Sequence, residues 1–509
     1  MATLYAPAED IFATAGGYLG DSRAAMIGPE QRKDVMLRRS HTAGIGAPLA
    51  LLALLLGGCA TAGRDYRAPS PPELGVPESY FGPARNGEAA QLATWWEQMG
   101  DPLLDRLVAR AIAGNLDLAV AESRLRQARE SLVQARAARL PTVGASAGAG
   151  QSLDSGGNAD TKLSLGADAA WEADLFGGLS RSIEAARTDA AAVAFDLAAV
   201  RVAMVGEVAT NYIEARQAQA RLATARDTLA IADDNLQITR WRVQAGLVSS
   251  LDVEQARGQR AQTAASIPSL EREFAAAAYR IAVLTGQAPG SVSGELAAVR
   301  PIPLGPAEIA TGIPADTLRQ RPDVRSAERS LAAATARIGV AQAALLPNLR
   351  LTGNIGTSGL SLGSLVDAIT GSLFASLGQT LFDGGRLKSQ VRSQRAAAEG
   401  AFATYRGTIL TALEDVENGL VALQAAKARQ REFALALDAA TNQAILARSS
   451  YRAGLTDFQT LLEAERSLLS ARDGLISARA EQALAIVQLY RALGGGWDPL
   501  AAAAPDTRS

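Results

Sequence analysis

The side chains that most often carry chemistry are nearly absent from this chain. Its 509 residues include one histidine, His41, and one cysteine, Cys59. Residues 36–58 open with Arg38-Arg39 and continue into a mostly apolar run from Ile45 to Leu56. A basic stretch, a short apolar run and small residues make an export signal, and the run is too short to span a bilayer. Met36 is therefore the expected initiator, and residues 1–35 form an extension with nothing recognisable in it. Removing the signal takes His41 with it. The mature chain then has no imidazole for Ser-His-Asp or Cys-His nucleophilic systems and no His- or Cys-ligated metal. Only Met99 and Met204 of the five methionines lie beyond the signal, which excludes a Met-rich metal path. No motif frames a pair of carboxylates. Lys+Arg 50 balance Asp+Glu 52, so charge indicates neither nucleic acid nor a charged substrate.

What remains is the cysteine itself. Leu56-Gly57-Gly58-Cys59 resembles the end of a bacterial lipoprotein signal, in which the cysteine becomes the acylated first residue. A lone cysteine cannot form an internal disulfide, so its exported position has another explanation, and the resemblance implies lipidation at Cys59. Ala60, not Asp, follows it, which by the sorting habit of such lipoproteins implies the outer membrane.

The elements that would position such a chain are written twice. Leu140-Pro141 recurs as Leu346-Pro347, Gly177-Gly178 as Gly384-Gly385, Ala245-Gly246-Leu247 as Ala453-Gly454-Leu455, and Leu284-Thr285-Gly286 as Leu493-Gly494-Gly495. The offsets grow only from 206 to 209 residues, so the copies differ by almost no insertions. A Pro-rich stretch from Tyr66 to Pro83 reads as an extended, poorly packed strap. Asp101-Pro102 starts a helix expected over Leu103–Arg139, which stops before Pro141. Its counterpart is expected over Ala315–Leu345.

Two period-two stretches follow these helices. Val143, Ala145, Ala147 and Ala149, then Leu163, Leu165, Ala167, Ala169 and Trp171, alternate with small or polar residues around a Gly-Gly-Asn turn. The second copy offers Leu349, Leu351, Gly353 and Ile355, then Leu373, Ala375, Leu377, Gln379 and Leu381. These predict hairpins at 141–174 and 347–383 with strands of the length a tilted transmembrane strand needs. After each Gly-Gly the period becomes helical for about sixty residues, roughly 90 Å at 1.5 Å per residue. The seams run Ile183, Ala186, Ala190, Val193, Leu197, Val200, Met204, Val208, Tyr212, Ala215 and Phe402, Tyr405, Ile409, Leu413, Val416, Leu420, Leu423. Steps of three and four make coiled-coil seams, and charges in every window keep the rods out of lipid. Each rod turns at Ala-Gly-Leu into a return helix, expected over Leu251–Leu284 and Asp457–Leu493.

Four strands cannot close a barrel, and an open edge in lipid leaves backbone groups unsatisfied. The chain must oligomerise. Two copies give eight strands and three give twelve, and only twelve leave an appreciable bore.

Trp171-Glu-Ala-Asp-Leu-Phe-Gly-Gly178, Leu381-Phe-Asp-Gly-Gly-Arg386, Tyr451-Arg-Ala-Gly-Leu-Thr456 and Ala492-Leu-Gly-Gly-Gly-Trp497 resemble the TolC-like outer membrane factors, in the lipoprotein branch often called NodT. The resemblance covers about residues 59–497. It implies a mostly α fold with a transmembrane β part: a homotrimer whose twelve-stranded barrel continues into a long periplasmic helical barrel with a mixed equatorial collar. The implied partners are a periplasmic adaptor, an inner-membrane pump usually of the resistance-nodulation-division type, and outer-membrane lipid. Pro141, Gly177, Gly178, Pro347, Gly384 and Gly385 mark the strand–helix junctions. Gly246, Leu247, Val248, Ser249, Gly454, Leu455 and Thr456 form the adaptor-docking tips. By the same resemblance a constriction ring falls on Thr460, Glu463 and Arg466 with Gln459 beside them. Restraining bonds fall on Asp252 and Tyr451, the tyrosine hydroxyl donating to the carboxylate. Glu463 stands where some members have Asp, and Thr456 where some have a restraining Arg. Three Glu463 carboxylates around one axis repel unless Arg466 or a bound cation offsets them.

The reading is a passive outer-membrane exit duct of a tripartite efflux pump, with no catalytic residue, metal or cofactor. Its boundaries are a signal at 36–58, a strap and equatorial segment at 59–101, repeats at 102–299 and 300–497, and a tail at 498–509. The exit duct of a type I secretion system and a soluble coiled-coil scaffold stand as alternatives.

Overall fold

The computed structural model describes residues 61–82, 92–153, 159–306, 308–361, 363–366 and 369–498. The signal, Cys59, the Gly156-Gly157-Asn158 turn and the tail from 499 lie outside the described residues.

Helix α1 (Pro102–Gly114) begins under Asp101, whose carboxylate accepts from the Leu103 amide at 2.9 Å. The single helix expected here is two, because Asn115 leaves the helical region (φ −69°, ψ 129°) and α2 (Leu116–Ala137) starts after it. The Asn115 side chain accepts from the Asp117 and Leu118 amides and donates to the Leu284 carbonyl at 2.9 Å. An Asn that can cap locally competes with continuation of the helix. The second copy breaks 206 residues later, at Arg321 (φ −69°, ψ 124°), between α6 (Pro314–Gln320) and α7 (Pro322–Ala343). Here the cause is Pro322, which denies the preceding residue the helical region. Arg321 then donates to the Ala492 carbonyl at 3.0 Å, as Asn115 does to Leu284. One architectural break is thus kept by two different chemistries.

Strands β1 (Thr142–Leu153), β2 (Ala159–Ala173), β3 (Asn348–Gly359) and β4 (Ile369–Gly378) form one antiparallel sheet in the order β1-β2-β3-β4. Gln379 and Leu381, expected in the last strand, lie beyond its end. Directly opposed residues share a face. The register therefore puts Val143, Ala147, Leu163, Leu165, Ala169, Trp171, Leu349, Leu351, Ile355, Leu373 and Leu377 on one face. The other face takes Ser146, Ser164, Lys162, Asp168, Arg350, Asn354, Ser372 and Ser376, with Phe374 its one large apolar side chain.

Helices α3 (Gly178–Gln244) and α8 (Arg386–Arg452) are each 67 residues long. They return as α4 (Ser250–Leu284) and α9 (Phe458–Ala492), and a short α5 (Ser293–Leu296) lies in the link between copies. Nearer the sheet the helices pack in the order α2, α3, α7, α8; toward the tips the order is α4, α3, α9, α8. The two rods are not equivalent. α3 has neighbours on several faces and is buried on more than one, whereas α8 buries one stripe, Tyr405, Ile409, Val416, Leu420 and Leu423, and leaves Phe402, Leu410 and Val421 open. Gly474 leaves no room for a Cβ beside the Phe433 ring, so α8 and α9 touch nearly backbone to side chain there.

The principal core lies at the equator. Trp95, Leu103, Leu104, Leu107, Val108, Val205, Tyr212, Ile213, Ile281, Leu489 and Tyr490 are fully buried in it. Trp95 stacks on Tyr490 with ring centroids 5.2 Å apart. Each such Leu or Ile contributes about 1.5–3 kcal/mol, which fixes the midpoint of rods that are otherwise solvated. Arg216, fully buried, donates to Gln219, to the Tyr212 hydroxyl at 3.0 Å and to the Ala298 carbonyl at 2.8 Å, tying the link between copies to α3.

Candidate functional site

Both rods end in the same left-handed cap. Gly246 (φ 71°) donates to the Val243 carbonyl and Leu247 to Arg242, while Gly454 (φ 75°) donates to Tyr451 and Leu455 to Ser450. This six-to-one and five-to-two pair satisfies carbonyls that the helix end leaves free, and glycine adopts the positive φ without strain. The turn pushes Leu247 and Leu455 outward, and both are largely exposed. Ser249 caps α4 by accepting from the Leu251 amide at 3.0 Å. Val248 is half-buried, and Thr456, 208 residues on, holds its hydroxyl oxygen buried without a partner.

The expected Tyr451–Asp252 bond is not made within the protomer. The Tyr451 hydroxyl instead approaches Thr239 Oγ1 at 3.4 Å, and the Arg242 guanidinium carbon lies 4.4 Å from the ring centroid. Phe458 meets the same ring edge-on at 5.8 Å, and Leu236, Ala256, Ala447 and Leu461 complete a small apolar cluster. The Tyr451 hydroxyl and ring face thus meet Thr239 and Arg242 of α3, not Asp252 of the return helix. Asp252 sits half-buried in the first turn of α4, where a carboxylate also suits the helix dipole.

Gln459, Thr460, Glu463 and Arg466 all lie on the exposed face of α9, opposite the stripe Phe458, Leu461, Ala464, Leu468. Their roles differ. Thr460 is engaged by the N-cap: its amide donates to Asp457 Oδ1 at 2.8 Å and its hydroxyl to the same oxygen at 2.6 Å. These bonds hold the Asp457 carboxyl below the usual range. Arg466 donates to Gln259 Oε1 on α4 at 2.9 Å, the one side-chain hydrogen bond joining the two return helices among the described residues. It does not reach Glu463, which has no hydrogen-bond or ion-pair partner within the protomer among those residues. The neighbouring Glu465 faces inward and pairs with Arg448 of α8, whose pKa the hydrogen bond raises.

The strap Tyr66–Pro83 buries Leu74 and Tyr80 and so is packed, contrary to expectation, and the residues just ahead of it dock at the opposite end of α3. Ala62 donates to the Phe176 carbonyl at 2.8 Å. Arg181, nearly buried, donates to the Ala62 carbonyl at 3.0 Å and to Asp65 at 2.7 Å. Gly63 lies backbone to backbone against Gly339 of α7, and a Cβ on Gly339 would meet the Ala62 carbonyl at 2.9 Å. The equivalent of Gly339 in the first copy, 206 residues earlier, is Val133, which does not offer the same bare backbone. Among the described residues the dock begins at Thr61, against Gly177 and two residues from Cys59 in sequence. Asp174 and Asp383 cap the rods above Gly178 and Gly385.

Arg242, Thr239, Gln259, Arg181 and Gly339 carry these contacts, and sequence reading passed over them. A helical arginine or glutamine reads as solvated until its partner from another element is known. Among the described residues no group of three His, Cys, Asp or Glu is placed to hold a metal ion, and no helix is long and apolar enough to cross a membrane.

An amphipathic sheet that runs through glycine junctions into helices far too polar for lipid is one part of a membrane channel with a long aqueous extension. The chain belongs to the outer membrane efflux protein family, whose model, described as "Outer membrane efflux protein", matches residues 107–287 and 313–495. It is 35% identical to Nodulation protein T of Rhizobium leguminosarum bv. trifolii over 466 residues, 89% of this chain and 97% of that protein. It is 31% identical to the pyoverdine export outer membrane protein OpmQ of Pseudomonas aeruginosa, over 87% of this chain and 95% of that one. The fold is similar to that of the outer-membrane channel OprN, with a TM-score of 0.79 and 35% identity over 86% of this chain and 100% of that one. The protein is therefore an efflux channel of the outer membrane that extends into the periplasm.

Proposed function

We propose that three copies form the exit duct of a tripartite efflux pump of the resistance-nodulation-division type. The duct passively conducts small molecules from a periplasmic adaptor and inner-membrane pump to the outside. It has no catalytic residue, uses no cofactor, and is anchored in addition by acyl groups on Cys59. The observation that carries this reading is that every layer of the protomer ends unpartnered on the same two sides. The sheet ends in β1 and β4, the upper helices in α2 and α8, the lower in α4 and α8. β1 follows α2 and β4 precedes α8, so one side of the protomer carries β1 and α2 and the other β4 and α8. Such a heterologous surface closes into a ring, and only closure removes strand edges from lipid. Three copies give twelve strands, within the range of membrane barrels.

The leucine tips dock the adaptor, and Tyr451, Asp252 and the Gln459, Thr460, Glu463 and Arg466 face of α9 restrict the tunnel mouth. The test is native mass spectrometry in detergent with crosslinking from Leu247 and Leu455 in cells. A trimer, with an adaptor and a pump of that type captured from the tips, is the expected result. A monomer, or tips that capture a type I secretion apparatus, refutes it.

A further inference from the structure

The duplication offers a pattern for the joint between one protomer and the next. Inside the chain, copy one joins copy two where β2 pairs with β3, with Ala173 opposite Leu349 and Leu165 opposite Thr357. That pairing brings Leu175-Phe176, just past β2, into one cleft with Leu346-Pro347, just before β3. Leu175 and Leu346 are each covered down to 38% exposure. The equivalent motif of the second copy, Leu381-Phe382, lies just past the edge strand β4 and is 91% and 90% exposed. The equivalent turn of the first copy, Leu140-Pro141, lies just before the other edge strand, with Leu140 65% exposed. Two large adjacent apolar side chains left in the open mark an interaction surface. Both halves of the joint seen within the chain are present at its two ends without each other.

We infer that, in the trimer proposed above and resting on that reading, Leu381-Phe382 of each protomer seats on Leu140-Pro141 of the next, with β4 paired antiparallel to that protomer's β1 so that Gln379 faces Val143, Leu377 faces Ala145 and Leu373 faces Ala149. Each of these pairs repeats the β2–β3 register with both members shifted by 206 residues, as Gln379 and Val143 repeat Ala173 and Leu349. The strands alone do not choose it. Thr142 faces Ala170 in the first hairpin, but Asn348 faces Gly378 in the second, two residues out of step with the first. A seam displaced by two residues also keeps side chains on their faces. The seat decides, because only the undisplaced seam lets Leu381-Phe382 reach Leu140-Pro141 as Leu175-Phe176 reaches Leu346-Pro347. The seam continues the apolar row across the protomer boundary, leucines against alanines, and sets Ser376 beside Ser146 on the polar face.

The experiment is disulfide crosslinking of the full chain in outer-membrane preparations. Directly opposed Cα atoms stand about 4.5–5.5 Å apart and diagonal neighbours about 7–8 Å, so only the direct pair suits a disulfide. Ser146→Cys with Ser376→Cys is expected to give covalent trimers after oxidation. Ser146→Cys with Phe374→Cys or with Gly378→Cys should give several-fold less, and each single variant none. Dominance of a displaced pair, or no crosslink in a protein that native mass spectrometry shows to be trimeric, overturns the seam and leaves the exit-duct reading standing. A monomer overturns both. As a second readout, Phe382→Ser, at a side chain 90% exposed within the protomer, is expected to lower the trimer fraction in detergent with the helical circular dichroism unchanged. An undiminished trimer overturns the seat.

Discussion

The Arg242 guanidinium lies over the Tyr451 ring at 4.4 Å, so the tip of the second rod is held by the tip of the first. A cation over an aromatic face contributes about 0.5–2 kcal/mol depending on how dry the site is. The Tyr451 hydroxyl, 3.4 Å from Thr239, adds little by comparison. In the proposed trimer, three such contacts around the axis would hold a resting mouth by a few kcal/mol, an amount a docked adaptor could supply.

Arg242→Ala should therefore raise single-channel conductance in planar bilayers and the frequency of spontaneous opening. Tyr451→Phe, which keeps the ring, should stay near wild type, and Asp252→Ala should change conductance only through contacts between protomers. A Tyr451→Phe channel as open as Arg242→Ala would return the restraint to the hydroxyl.

Glu463 is exposed and, within the protomer, unpaired among the described residues, while Arg466 is turned to Gln259. Rings of carboxylates favour cations. Glu463→Gln should lower the cation preference measured from reversal potentials in a KCl gradient, and Gln259→Ala, which frees Arg466 to reach the carboxylate, should shift it the same way. Equal reversal potentials for Glu463→Gln and wild type would leave that face of α9 merely solvated.

Asp457 caps α9 through two bonds to Thr460, and its pKa is lowered chiefly by the side-chain bond. A carboxyl depressed on folding stabilises fully above its unfolded pKa, about 3.9. That contribution is lost as pH falls through the lower folded value. The protection of the Thr460 amide, its exchange rate relative to the intrinsic rate at each pH, should fall only below about pH 4 in the wild type. Asp457→Ala should be unprotected throughout, and Asp457→Asn protected with no acid transition.

The strap dock gives a test of the anchor. Cys59→Ser should abolish palmitate labelling and still leave a fraction inserted, since the proposed barrel would anchor the chain independently. Gly339→Val, which copies Val133, should expel Thr61–Asp65 from its groove at a cost of about 1–3 kcal/mol. Trypsin should then cut at Arg64 or Arg67 and release a lipid-labelled peptide that wild type retains. Resistance equal to wild type would show that the strap is held elsewhere.

Leu165 and Leu377 share the apolar face of the sheet. Arg at either should cost about 2–4 kcal/mol if that face meets lipid near the midplane. The expected outcome is loss of trimer in membranes for Leu165→Arg and Leu377→Arg, with Ser164→Arg on the opposite face tolerated. The reverse pattern would turn the sheet inside out.

Local chemistry decided what the sequence could show. Period-two and helical patterns, Gly177, Gly246, Gly384 and Gly454 at the junctions and tips, and Pro141 and Pro347 before the strands act within a few residues, so they are legible without a fold. The duplication and the open strand edges follow from the same patterns. Other features were settled only when distant segments met. Asn115 and Arg321 break their helices where each can reach a carbonyl at the end of α4 or α9, some 170 residues along the chain. Pro322 was the clear local sign of its break, whereas Asn115 gave a weaker one, since an Asn within a helical period caps only where the fold lets the helix stop. Tyr451 finds Arg242 and Thr239 in place of Asp252, and Arg466 finds Gln259 in place of Glu463, because helix packing sets which faces meet while sequence spacing sets only which residues share a face. The same holds for Gly339: its need for a bare backbone exists only because Gly63, 276 residues away, is laid against it.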